Sequence, residues 1–117
     1  MAWKPMDPIN AEKLATAASA FAFDKRKMFG YDVYFVNGNM AAGMHGSDLF
    51  MRFSSDDRNV VLSEVDAAQP FEPRPGLVMR EYLTLPSTVL DDTRRLMELL
   101  SRSFTYVSSL PPKRRKG

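Results

Sequence analysis

The chain has 117 residues, 44% hydrophobic and 26% charged, which is ordinary for one globular domain with a core of its own. It has no cysteine, which excludes disulfides, thiolate metal sites and a cysteine nucleophile, and no apolar run of about 18 residues that would span a membrane. The sequence pI of about 9.0 comes from Lys113, Arg114, Arg115 and Lys116; without these four, 12 basic residues stand against 14 acidic ones.

Asp7 followed by Pro8 predicts a helix start, an N-cap acceptor and then proline at the first helical position. Ala11, Leu14, Ala15, Ala18, Phe21 and Ala22 follow at helical spacing and carry the helix to about Phe23. A meander of three strands is expected next. Asn37-Gly38 between strand patterns reads as a type I′ turn, which pairs Phe35 with Met40 and Val33 with Ala42. Gly46-Ser47 reads as a type II′ turn and pairs Met44 with Leu49, Ala42 with Met51 and Met40 with Phe53. Both registers put Tyr31, Val33, Phe35, Met40, Ala42, Met44, Leu49, Met51 and Phe53 on one face, the expected core face.

Ser54 with Asp57 three residues on resembles a capping box, opening a second helix to about Val65. A proline-rich loop runs from Ala67 to Gly76, a strand from Val78 to Leu85, and Pro86 stops it. The last helix starts at Asp91 or Asp92, buries Leu96, Met97, Leu100, Phe104 and Val107, and ends before Pro111-Pro112. The order is helix, three strands, helix, strand, helix. That is an α+β two-layer sandwich, an antiparallel sheet with helices on one face. The domain is expected over residues 1–110, with 111–117 a disordered basic tail.

Strand alternation puts Tyr34, Phe50 and Arg52 on the sheet face away from the core set, and Arg80 and Tyr82 from the later strand join them. Tyr34, Phe50 and Tyr82 are more apolar than a solvated face needs, so these five residues are the expected contact surface for a partner or a second copy of the chain. The competing expectation is coverage by the chain's own 67–76 loop, with Phe71 packed across the sheet.

The segments Met28-Phe29-Gly30, Asn37-Gly38 with Met40, and Leu49-Phe50-Met51-Arg52 with Asp57 and Arg58 occur in that order. Pro70-Phe71-Glu72-Pro73, Pro75-Gly76, Met79-Arg80-Glu81-Tyr82 and Leu85-Pro86 follow them. In order and spacing they resemble the N-terminal domain of the TfoX/Sxy family, bacterial proteins tied to regulation of competence. The resemblance runs from about Lys27 to Val107 and implies the same sandwich with a further short strand near Phe71. It implies a regulatory role in competence or transcription, here in a domain standing without the C-terminal domain of the family's regulators.

Catalytic constellations are poor. His45 is the only histidine and shares a tight turn with Ser47 and Asp48, where side chains do not converge as a nucleophile and base must. No histidine–carboxylate spacing suggests a metal, and no glycine run before a helix would cradle a phosphate. The expectation is therefore a cytoplasmic, non-enzymatic module with no cofactor and no membrane association, binding a protein or forming a homodimer. The alternative is a nucleic-acid accessory protein. It would stack bases on the open face and touch phosphates weakly through Lys113, Arg114, Arg115 and Lys116.

Overall fold

The computed structural model describes residues 5–113. Asp7 opens the first helix, α1 (Pro8–Ala18), accepting through Oδ1 from the amides of Ile9 (2.9 Å) and Asn10 (3.2 Å). The helix stops at Ala18, short of the expected Phe23, with Ser19 at its end. The turn that follows lets Phe21 and Phe23 pack their rings on Phe104, centroids 5.6 and 5.2 Å away. Aromatic burial outweighs continuing a helix.

Then come β1 (Asp24–Met28), β2 (Tyr31–Val36), β3 (Asn39–His45), β4 (Asp48–Arg52), α2 (Ser55–Glu64), β5 (Gln69–Arg74), β6 (Leu77–Leu85), a 3-10 turn (Ser87–Asp91) and α3 (Thr93–Ser108). Every pairing is antiparallel, and the spatial order is β1-β2-β3-β4-β6-β5. The architecture is the expected α+β sandwich. The meander, however, has four strands. Asp24-Lys25-Arg26-Lys27-Met28 forms the first of them and is largely exposed, so it shows none of the apolar alternation that marks a half-buried strand. Much of the expected 67–76 loop is β5. It is an edge strand, the sheet position that tolerates Pro70 and Pro73.

The later helices start at the expected caps, but the capping box at Ser54 is only half formed, since the Asp57 carboxylate accepts from Arg102 (2.7 Å) rather than from the Ser54 amide. The Ser54 hydroxyl accepts from the Asp57 amide (3.2 Å), and the Asp92 carboxylate accepts from the Arg95 amide (3.1 Å). Helix α3 buries Leu96, Leu99, Leu100, Ser103 and Val107, while Met97 and Phe104 are only partly buried.

The register departs from expectation at one place, with large consequences. Phe35 pairs with Met40 as expected, but Tyr34 pairs with Ala42 and Val33 with Gly43. Ala41 is therefore an extra residue in β3, a bulge. Its carbonyl accepts a hydrogen bond from the Ser103 hydroxyl on α3 (3.2 Å), so the interruption leaves no orphaned acceptor there. The bulge puts Tyr31, Val33, Phe35 and Met40 on the opposite face from Ala42, Met44, Leu49, Met51 and Phe53. The expected single core face is thus two faces. Pairing of β3 with β4 follows the expected register at Met44–Leu49 and Ala42–Met51.

The main core lies between sheet and helices: Leu14, Met44, Leu49, Met51, Phe53, Val61, Leu83, Leu85, Leu96, Leu99 and Leu100. A second, smaller core occupies the other face: Tyr31, Val33, Phe35, Phe50, Phe71 and Tyr82. The β5–β6 pairing shifts register between Pro70 and Phe71. Strand β5 curls across the sheet and lays the Phe71 ring on Phe50, parallel within 9° at 4.6 Å. Both Asn37-Gly38 and Phe29-Gly30 have positive φ at both central residues, +52° and +82° in the first and +54° and +82° in the second. Two type I′ turns therefore build this hairpin series.

Candidate protein-interaction site

The five residues expected to form one contact surface are divided by the fold. Tyr34 is buried on the helix side of the sheet. Phe50 and Tyr82 lie on the opposite face but are 4% and 8% exposed, beneath Phe71 at 5%. The competing expectation, coverage by Phe71, describes this face. Gly43 leaves room for a ring, and Phe50 of the paired strand fills it: a Cβ at Gly43 would stand 2.7 Å from Phe50 Cζ. His45, paired with Asp48 beside the Gly46-Ser47 turn, packs its ring tilted against Tyr31 and edge-on to Phe71, at 5.4 and 5.5 Å.

Arg52 and Arg80 remain nearer solvent. Arg52 donates through Nε (2.8 Å) to Glu81, its Nη2 lies 2.7 Å from the same carboxylate oxygen, and its guanidinium sits 5.4 Å from the Tyr82 ring centre. Burial alone would raise the Glu81 carboxyl. Hydrogen bonds from Arg52 and the Tyr106 hydroxyl (2.8 Å), with the charges of Arg52 and Arg58, outweigh it and hold the group below its ordinary value. Arg80 is exposed and outside the aromatic cluster. Of the basic tail, the Lys113 amide donates to the Asn37 carbonyl (2.8 Å), and Pro111 accepts from the Asn39 side chain (3.0 Å). Arg114, Arg115 and Lys116 lie outside the described residues.

The sheet offers a different surface. Phe29 occupies a left-handed backbone conformation and is 77% exposed, the most exposed large apolar side chain among the described residues. Left-handed φ is uncommon for a bulky residue, and asparagine or glycine would adopt it at lower cost. Met28 beside it is also exposed. Together they form an apolar tip at the end of β1, an outer strand of the sheet. A turn that needs glycine or asparagine but carries an exposed phenylalanine has a cost in folding and no gain from burial.

The strand leading to the tip is basic. Lys25 and Lys27 both reach toward Asp32, at 3.7 and 3.6 Å, and Arg26 pairs with Asp24 at 2.7 Å. Three cations thus share two carboxylates. Sequence reasoning missed this site because the strand lacks alternation. The signal was Phe29-Gly30 placed before a strand, the same turn chemistry read at Asn37-Gly38.

A shallow cleft of about 340 Å³ lies between α2 and α3, lined in part by Ser54, Asp57, Arg102 and Tyr106. Its charged groups satisfy each other, Arg102 donating to Asp57 at 2.7 Å. Among the described residues no three histidine, cysteine or carboxylate side chains gather to hold a metal ion, and no helix is long and apolar enough to cross a membrane.

No curated protein matches the chain. The model of the TfoX N-terminal domain matches residues 16–106, from within α1 to near the end of α3, and so spans all six strands. The chain belongs to the TfoX N-terminal domain family.

Proposed function

We propose that this domain is a regulatory protein-interaction module of the cytoplasm, with no chemistry of its own, and that its contact surface is the Met28-Phe29 tip with the adjoining β1 strand. Family membership supports the regulatory setting, in competence or transcription control. The observation that carries the contact surface is Phe29: a large aromatic ring, 77% exposed, held in a backbone conformation that disfavours it. Such an anchor carries interface energy when a partner buries it. The rival reading, bases stacked on Phe50 and Tyr82, has no open platform, because both rings are packed under Phe71.

The test is capture of partners from native cytoplasm after nuclease treatment, with the parent chain and Phe29→Asn side by side. Asparagine suits the left-handed turn, so the variant stays folded. The expected result is a defined protein retained by the parent and lost, or weakened about tenfold or more, with the variant. Equal retention by both overturns the assignment of the tip.

A further inference from the structure

The sheet has two edges, and they differ. At one, β5 carries Pro70 and Pro73, which lack the N–H a neighbouring strand would accept from. At the other, β1 carries no proline. Its register with β2 is set by the two-residue turn, so Met28–Tyr31 is a hydrogen-bonded pair, and Arg26–Val33 and Asp24–Phe35 follow two residues apart. The alternate residues, Lys25 and Lys27, therefore turn their backbone N–H and C=O groups outward. No hydrogen bond reaches those amides among the described residues. The proline-free edge thus presents two spaced donor–acceptor pairs, with the exposed Phe29 at its end.

Charge decides what can pair there. A second copy of this strand, antiparallel across the edge, would set Lys25 against Lys27 and Arg26 against Arg26. Like charges directly opposite are destabilising, and lysines on an edge strand are a common guard against self-association. The same guard favours an acidic strand. Lys25 and Lys27 share the single Asp32 carboxylate at 3.6 to 3.7 Å, beyond hydrogen-bonding distance, and both side chains are at least half exposed. Glutamates or aspartates opposite them would complete those pairs. A segment lying along β1 would also pass the Met28-Phe29 tip, where an apolar side chain could cover the ring.

Resting on the interaction reading above, we propose that the partner contributes an acidic extended segment that adds as a further strand along the outer edge of β1, with Phe29 covering its end. Strand addition of this kind takes affinity from main-chain hydrogen bonds and specificity from alternate side chains.

The probe is a short synthetic peptide alternating glutamate with valine, titrated into the full chain at low salt, with a lysine-for-glutamate peptide and a single-stranded DNA oligonucleotide as separate arms. Binding is read by anisotropy, and backbone amide exchange locates it. The glutamate peptide is expected to bind at least about tenfold more tightly than the lysine peptide. The Lys25 and Lys27 amides are expected to gain protection, while those of Asp24, Arg26 and Met28, already inside the sheet, change little. Lys27→Pro removes one outward N–H and should weaken the glutamate peptide roughly fivefold beyond the loss in Lys27→Gln, which removes only the charge. No binding of the glutamate peptide, binding without protection of those two amides, or binding of the oligonucleotide alone overturns the proposal. If strand addition fails while Phe29→Asn still abolishes capture, the interaction module stands and only its mode is wrong. If Phe29→Asn has no effect either, both fall.

Discussion

Tyr34 shows how one side chain can be buried at a cost. Its hydroxyl is buried with no hydrogen-bond partner among the described residues, and burial, aided by the nearby Asp32 charge, pushes its pKa up to about 12. Tyr34→Phe removes an unsatisfied polar group from the core and should stabilise the domain by about 1 kcal/mol, read as a higher denaturant midpoint. The raised pKa also means that folding resists ionisation. The Tyr34 contribution is intact below pH 10 and is lost as pH rises from there through about 12, so Tyr34→Phe should extend the alkaline limb of the stability profile. Gly38 is constrained twice. Its φ is +82°, and a Cβ there would stand 2.3 Å from the Lys113 carbonyl oxygen. Gly38→Ala should cost about 1–3 kcal/mol in thermal unfolding. In a chain ended at Leu110 the same change should cost less, because the clashing carbonyl is gone. The turn at Asn37-Gly38 was readable from residue type. The chain that returns to it from α3 was not, because no local pattern records a contact between residues so far apart.

Among the elements, the bulge in β3 explains most of what the sequence hid. Alternation alone put Val33 and Ala42 on one face, and a single extra residue at Ala41 sends them to opposite faces. Nothing in Met40-Ala41-Ala42-Gly43 signals a bulge. The nearest sign is Ser103, a polar residue in the buried stripe of α3, which the Ala41 carbonyl requires. Ser103→Ala leaves that carbonyl buried without its partner and should destabilise by about 1–2 kcal/mol, a large effect for the loss of one oxygen. Ser103→Thr should recover part of it if the added methyl fits. An unchanged unfolding free energy for Ser103→Ala would remove the bulge's link to α3. Strand β1 was hidden for the opposite reason. An edge strand exposed on both sides has no periodicity to read, and only the turn after it gives it away.

For the molecule as a whole, one six-stranded sheet carries buried apolar side chains on both faces, helices over one and the curled β5–β6 hairpin over the other. The Arg52–Glu81–Tyr106 cluster ties β4 and β6 to α3. Because Glu81 is held below its ordinary value of 4.5, its contribution is complete above that pH and fades as pH falls through the lowered value. Glu81→Gln should therefore flatten the acid limb of unfolding, and an unchanged acid midpoint would count against the cluster. The closed aromatic face is also why the proposed contact surface lies at β1: Phe50 is interior to the fold, while Phe29 is exposed. Comparing the equilibrium unfolding of Phe50→Ala with that of Phe29→Asn tests this division most directly. Phe50→Ala should lose about 3–5 kcal/mol, as a buried ring does, while Phe29→Asn should lose nothing or gain slightly. If Phe50→Ala unfolds at the parent's midpoint while Phe29→Asn is strongly destabilised, the aromatic face is the surface and the β1 tip is the interior.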